Sequence, residues 1–111
     1  IVMMGEFGRT PGRITAQNGR DHFLQQFVMF AGAGIRGGRA IGSTDSGGLS
    51  TAEAGWSRDR DIRPEDVEAT IYSALGIDWT TIRHDDPVGR GFYYVPESDK
   101  DTYGPINEIW A

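Results

Sequence analysis

Two short strings hold most of the side chains in this sequence that could do chemistry. Glu6-Phe7-Gly8-Arg9-Thr10-Pro11 comes directly after an apolar run, and Gly19-Arg20-Asp21-His22 comes directly before the next one. Glu6 and Asp21 offer carboxylate oxygens and His22 an imidazole nitrogen. That mixed set suits a hard or borderline divalent cation such as Zn, Mn, Mg or Ca. Three donors leave such a shell incomplete, so the remainder is expected from an amino-terminal portion upstream of Ile1, from water or from substrate. Arg9, Arg13 and Arg20 can grip an oxyanion through their guanidinium forks. A plainer account stands beside this one: Glu6 pairs with Arg9, Asp21 opens a turn or caps the chain before Phe23, and His22 is a rim histidine.

Other sets are poorer. Gly32-Ala33-Gly34 with Gly37-Gly38 matches neither nucleotide fingerprint and precedes no helical pattern, so it reads as a turn. His84-Asp85-Asp86 lies in a polar connector and reads as a solvated loop. Ser43-Thr44-Asp45-Ser46 carries hydroxyls but has no neighbouring histidine to activate one, and turn chemistry explains it better. Trp56, alone in a polar loop, is expected to anchor that loop.

The elements that must position these residues follow from the apolar pattern. Ile1 to Met4 and Phe27 to Ala31 read as short buried strands, with the loop from Gly5 to His22 between them. Arg39 to Ser43 reads as an edge strand, and Thr44 to Asp61 as a loop without regular structure. The clearest helix starts at Pro64, with Glu65 and Asp66 at its positive end, and stops at Gly76. Its apolar stripe is Val67, Ile71, Ala74 and Leu75 with Tyr72 beside them, and it is expected to dock on a sheet. Phe92 to Val95 reads as a strand stopped by Pro96. Ile106, Ile109 and Trp110 form a patch that pins the end of the chain back on the body. Strands alternating with loops and one helix predict an α/β fold: a mostly parallel sheet with a covering helix and a site beyond the carboxyl ends of the strands.

Composition narrows the function classes. The 111 residues read as a single partial domain, 1–111. Eleven basic against sixteen acidic side chains give a net charge of -5, which argues against a nucleic-acid partner. The absence of Cys excludes disulfides, Fe–S clusters and thiolate-bound zinc. No apolar run approaches the ~20 residues of a membrane helix, so no membrane partner is expected. The chain opens on Ile1 without an initiator Met and reads as the carboxyl-terminal part of something longer.

Taken in order, Glu6-Phe7-Gly8-Arg9-Thr10-Pro11, Gly19-Arg20-Asp21-His22, Phe27 to Gly34, Gly37-Gly38, Ile41 to Asp45 and Pro64 to Asp78 resemble the carboxyl-terminal part of a bacterial, sulfatase-like family, domain of unknown function 1501. The family looks like a branch of the alkaline phosphatase superfamily. In that superfamily a strand runs into Asp-His-Gly, a further His follows, and a later helix carries Asp-Leu-x-x-Thr with a Leu-Gly-hydrophobic stop. Here Glu6-Phe7-Gly8 stands in place of Asp-His-Gly, His22 in place of the further His, and Asp66 to Thr70 with Leu75-Gly76-Ile77 in place of the helix.

The resemblance implies a carboxyl-terminal portion of an alkaline-phosphatase/sulfatase-like fold and a metal-dependent hydrolase of sulfate or phosphate esters. It also implies a small anionic ester as substrate and a periplasmic or secreted location. Glu6 and His22 become metal ligands with Asp21 an added candidate, and Arg9 the side chain that stabilises the ester's equatorial oxygens in catalysis. The nucleophile lies upstream, so the 111 residues alone are expected to be inactive. Phe7 departs from the pattern, because a phenyl ring cannot ligate a cation. An alternative alignment makes Asp21-His22 the Asp-His pair. The alternative function is a non-catalytic binding protein that has lost the full metal pair.

Overall fold

A computed structural model describes residues 1–32 and 34–110. The turn expected at Gly32-Ala33-Gly34 therefore lies partly outside the described residues. Two compact units are present: Ile1–Asp61 together with the end of the chain from Ile109, and Ile62–Glu108.

The first unit is built on one long, interrupted hairpin. β1 (Val2–Met4) pairs antiparallel with β4 (Val28–Phe30), and inside that pair β2 (Gly8–Arg9) pairs antiparallel with β3 (His22–Phe23). The partners are Val2↔Phe30, Met3↔Met29 and Met4↔Val28, then Gly8↔Phe23 and Arg9↔His22. Between the two ladders, Gly5, Glu6 and Phe7 on one arm face Leu24 to Phe27 on the other. The four-against-three mismatch makes a wide bulge, a feature that bends strands and re-aims side chains. A second hairpin joins β5 (Ser43–Thr44) to β6 (Thr51–Glu53), inside the segment expected to be irregular. Ile35 and Trp110 form an isolated bridge, and the Arg36 amide donates to the Ile109 carbonyl at 2.8 Å.

The expected α/β architecture, a mostly parallel sheet with a covering helix, is not what forms. Every ladder among the described residues is antiparallel and two-stranded. The reason lies in the connection from β1 to β4. A parallel return needs a crossover of a dozen or more residues, usually helical. The intervening segment, rich in Gly, Arg and Pro, folds back on itself as β2 and β3 instead. A second expectation fails with the first. β1 is exposed along its whole length, since it is paired on one edge and no layer covers its faces.

In the second unit α1 (Pro64–Ala74) forms where Pro64 and the acidic first turn place it, and the chain turns out of it at Gly76 with φ +70°. Its buried positions are Asp66, Val67, Ala69 and Thr70, whereas Ala74 and Leu75 are exposed and Ile71 half-buried. The inward face is thus rotated from the expected stripe, because the helix is held by hydrogen bonds from Gly104 and Ile106 as well as by apolar packing. β7 (Ile82–Arg83) and β8 (Phe92–Tyr93) form the unit's antiparallel pair, and Tyr72 stacks on Tyr94 with centroids 5.3 Å apart. Val67, Ala69, Val95 and Ile106 are its buried apolar side chains. No helix among the described residues is long and apolar enough to cross a membrane.

Candidate functional site

The hairpin brings the two reactive strings together. Arg9 and His22 are direct cross-strand partners. The loop between them is closed at its base by Thr10, whose amide donates to the Asp21 carbonyl at 3.1 Å and whose hydroxyl accepts the Asp21 amide at 3.2 Å. Arg20 donates to the Thr10 carbonyl at 2.6 Å, and Arg9 donates to the Arg20 carbonyl at 3.3 Å. Farther out, Thr15 and Gly19 close the loop tip, and Asn18 takes the left-handed conformation that Asn tolerates in turns, φ 60°.

Phe7 has a place in this arrangement. Its ring meets the His22 imidazole with centroids 3.8 Å apart, and the Arg9 guanidinium carbon lies 5.3 Å from its centroid. A cation held over a ring face keeps its charge and its donors while losing freedom. Beside this group, Met3, Met4, Phe7, Arg9, Gln25 and Phe27 line a cleft of about 400 Å³ at the bulge. A cleft of that volume falls within the range of small-molecule sites.

Glu6 lies in the bend of the bulge and is exposed, as are Asp21 and His22. Among the described residues no group of three or more His, Asp or Glu side chains comes together that could hold a metal ion. Glu6, Asp21 and His22 supply donor types that suit a divalent cation, but on their own they are not gathered into a three-donor set. The anticipated Glu6 to Arg9 pairing is not among the ion pairs of the described residues. Arg9 also has no carboxylate partner among them.

Gly8 is the residue whose role is tertiary. It is buried, and a methyl group there would lie 1.7 Å from the Gln25 carbonyl oxygen and 2.9 Å from that of Phe23. The opposite arm of the bulge passes directly over it, and only hydrogen fits.

The poorer candidates resolve into structure. The Asp45 carboxylate accepts from the Gly47, Leu49 and Ser50 amides at 2.7, 3.2 and 2.8 Å and from the Ser50 hydroxyl at 2.6 Å, closing the β5–β6 turn. The Ser50 hydroxyl first, then these amides, hold its carboxyl down at about 2 from an ordinary 3.8. The folded pKa is the lower one, so the turn's contribution to stability is complete above pH 3.8 and fades as pH falls toward 2. Carbon-detected NMR is expected to show the Asp45 carboxyl titrating near 2 with the Ser50 amide moving in step, whereas an ordinary midpoint would mean that the turn does not hold it.

In the second unit, Asp85 pairs with Arg83, Asp86 with Arg90 at 2.9 Å, and the His84 Nδ1 donates to the Gly89 carbonyl at 3.2 Å. That loop is tied by its own partners. Trp56 is buried and donates from Nε1 to the Arg60 carbonyl at 2.6 Å, with the Arg60 guanidinium over its ring. It anchors its loop.

With this geometry described, comparison with known proteins gives one match. The family model described as "Protein of unknown function (DUF1501)" matches residues 1–90, which include both strings, the cleft and α1. No curated protein and no solved structure matches the chain.

Proposed function

The chain belongs to the DUF1501 family, and from that premise we propose that its hairpin is the oxyanion-recognition edge of a sulfatase-like hydrolase acting on sulfate or phosphate esters. The observation that carries this reading is the β2–β3 register, which sets Arg9 opposite His22 beside the cleft. The Arg9 guanidinium presents a planar fork of donors that matches two oxygens of a tetrahedral oxyanion. Phe7 steadies it from one side. Donors aimed at the equatorial oxygens of a transferring group stabilise the charge that develops there. The order of Glu6-Phe7-Gly8, His22 and the Asp66 to Thr70 helix supports a relation to the sulfatases.

The described residues alone do not assemble a metal centre, so no step of this reading passes through one. A divalent ion joins it with Glu6 and His22 as two donors and the others drawn from water, the ester and a further polypeptide segment. A second reading, a binding protein without catalysis, is favoured by the Phe7 ring packed on the His22 imidazole.

Titration calorimetry with Mn²⁺ and Zn²⁺, alongside assays with 4-nitrophenyl sulfate and phosphate, separates the two. The first reading expects turnover that falls about 100-fold in Arg9→Gln. Ester binding without turnover, retained in Glu6→Ala and His22→Ala, selects the second. Neither binding nor turnover contradicts both.

A further inference from the structure

The β1–β4 ladder has two unlike faces. Strand side chains alternate, so Val2, Met4, Val28 and Phe30 share one face and Ile1, Met3, Phe27 and Met29 the other. On the first face Val28 and Phe30 are half-buried. On the second, Ile1 is 85%, Met3 55%, Phe27 78% and Met29 44% exposed. In the same unit, Trp56 and Ile109 are the buried apolar side chains among the described residues. The largest apolar surface of this unit is therefore turned outward.

We propose that this second face is a homodimer interface, seated on the same face of a second copy of the chain. Three observations carry the choice of occupant. The first is area: four large apolar side chains at these exposures present on the order of 600 Å² per copy, or about 1,200 Å² for the pair, which reaches the lower bound of specific interfaces. The second is charge. Residues 1–5 and 25–32 contain no charged side chain, so two copies of a chain with net charge -5 meet there without bringing like-charged side chains into contact. The third is self-complementarity. Met3 and Met29 are direct cross-strand partners at the centre of the patch. Unbranched thioether side chains repack readily against copies of themselves across a two-fold axis. Sheet-on-sheet packing then turns two exposed ladders into one four-stranded sandwich with a Met and Phe centre. An interface of this size gives a reversible dimer with a dissociation constant on the order of 10 μM.

Sedimentation equilibrium on the purified chain tests it. The expected result is a monomer–dimer equilibrium that Met3→Lys weakens about 100-fold, because a lysine there buries an unpaired charge. Leu49→Lys, at an exposed position outside the patch, leaves it unchanged. The chain has no Cys, so Met29→Cys supplies a single thiol. Mild oxidation is expected to cross-link it to the same residue of the second copy, which does not require Met3→Lys to fold. A monomer at all accessible concentrations, a dimer indifferent to Met3→Lys, or a dimer whose Met29→Cys form does not cross-link overturns the proposal. A monomer would assign the face to a different polypeptide.

Discussion

Replacing Gly8 with alanine is expected to cost about 3 kcal/mol of stability and to dismantle the candidate site in the same step. The new methyl group would stand 1.7 Å from the Gln25 carbonyl oxygen and 2.7 Å from its carbon. Both are backbone atoms, so no rotamer change relieves the overlap. The arm from Leu24 to Phe27 must lift, and with it goes the pairing of Arg9 with His22. The measurement is a urea titration combined with the His22 ring resonances, whose shifts report the Phe7 ring 3.8 Å away. Both are expected to change together. Wild-type stability with unchanged His22 shifts would show that the arm does not cross Gly8 as described.

The second large effect belongs to Asp66. Its carboxylate is fully buried and accepts two backbone amides, Arg63 at 2.8 Å and Gly104 at 3.0 Å. Thr70 sits one turn along, donating to the Asp66 carbonyl at 2.7 Å and accepting the Ile106 amide at 2.9 Å. The pair stitches the segment around Gly104 to Ile106 onto α1. Asp66→Ala leaves both amides without their acceptor, and each hydrogen bond to a charged group is worth a few kcal/mol. A loss of about 4 kcal/mol in chemical denaturation is expected. Thr70→Val, which keeps the volume and removes one acceptor, is expected to cost about 1–2 kcal/mol, with faster hydrogen exchange at the Ile106 amide. Equal, small losses in both variants would mean that apolar packing, not this pair, holds the segment.

These two residues also mark the limit of what can be read from the chain before folding. The helix was legible because its signals are local: Pro64 and the acids open it, and Gly76 closes it by taking a positive φ. Asp66 was legible only as a helix-dipole residue. Its buried role depends on Gly104, 38 positions away, and no spacing rule joins them. Gly8 could be seen as part of a distinctive string, but the close approach of Gln25 is a product of the bulge.

The strand directions were lost for a related reason. Runs as short as Val2–Met4 carry an apolar pattern but no information on whether the partner runs parallel or antiparallel. The loop decided it by folding into β2 and β3. That same fold-back is what sets Arg9 and His22 on facing strands, so the convergence of the two strings was expected while its architecture was not.

Phe7 carries a comparable lesson. As a letter in place of a histidine it signalled a lost ligand. In the structure it is a platform that touches both the His22 ring and the Arg9 guanidinium. The chemistry that survives at this position is recognition of an anion by a steadied cation.

The most direct test of that claim is an NMR titration of the protein with inorganic phosphate. The account predicts that the Arg9 side-chain Nε–H and the His22 ring shift together along one binding curve, and that Arg9→Gln abolishes both responses. Phosphate that leaves the hairpin unperturbed, or that binds Arg9→Gln as well as the wild type, would contradict it.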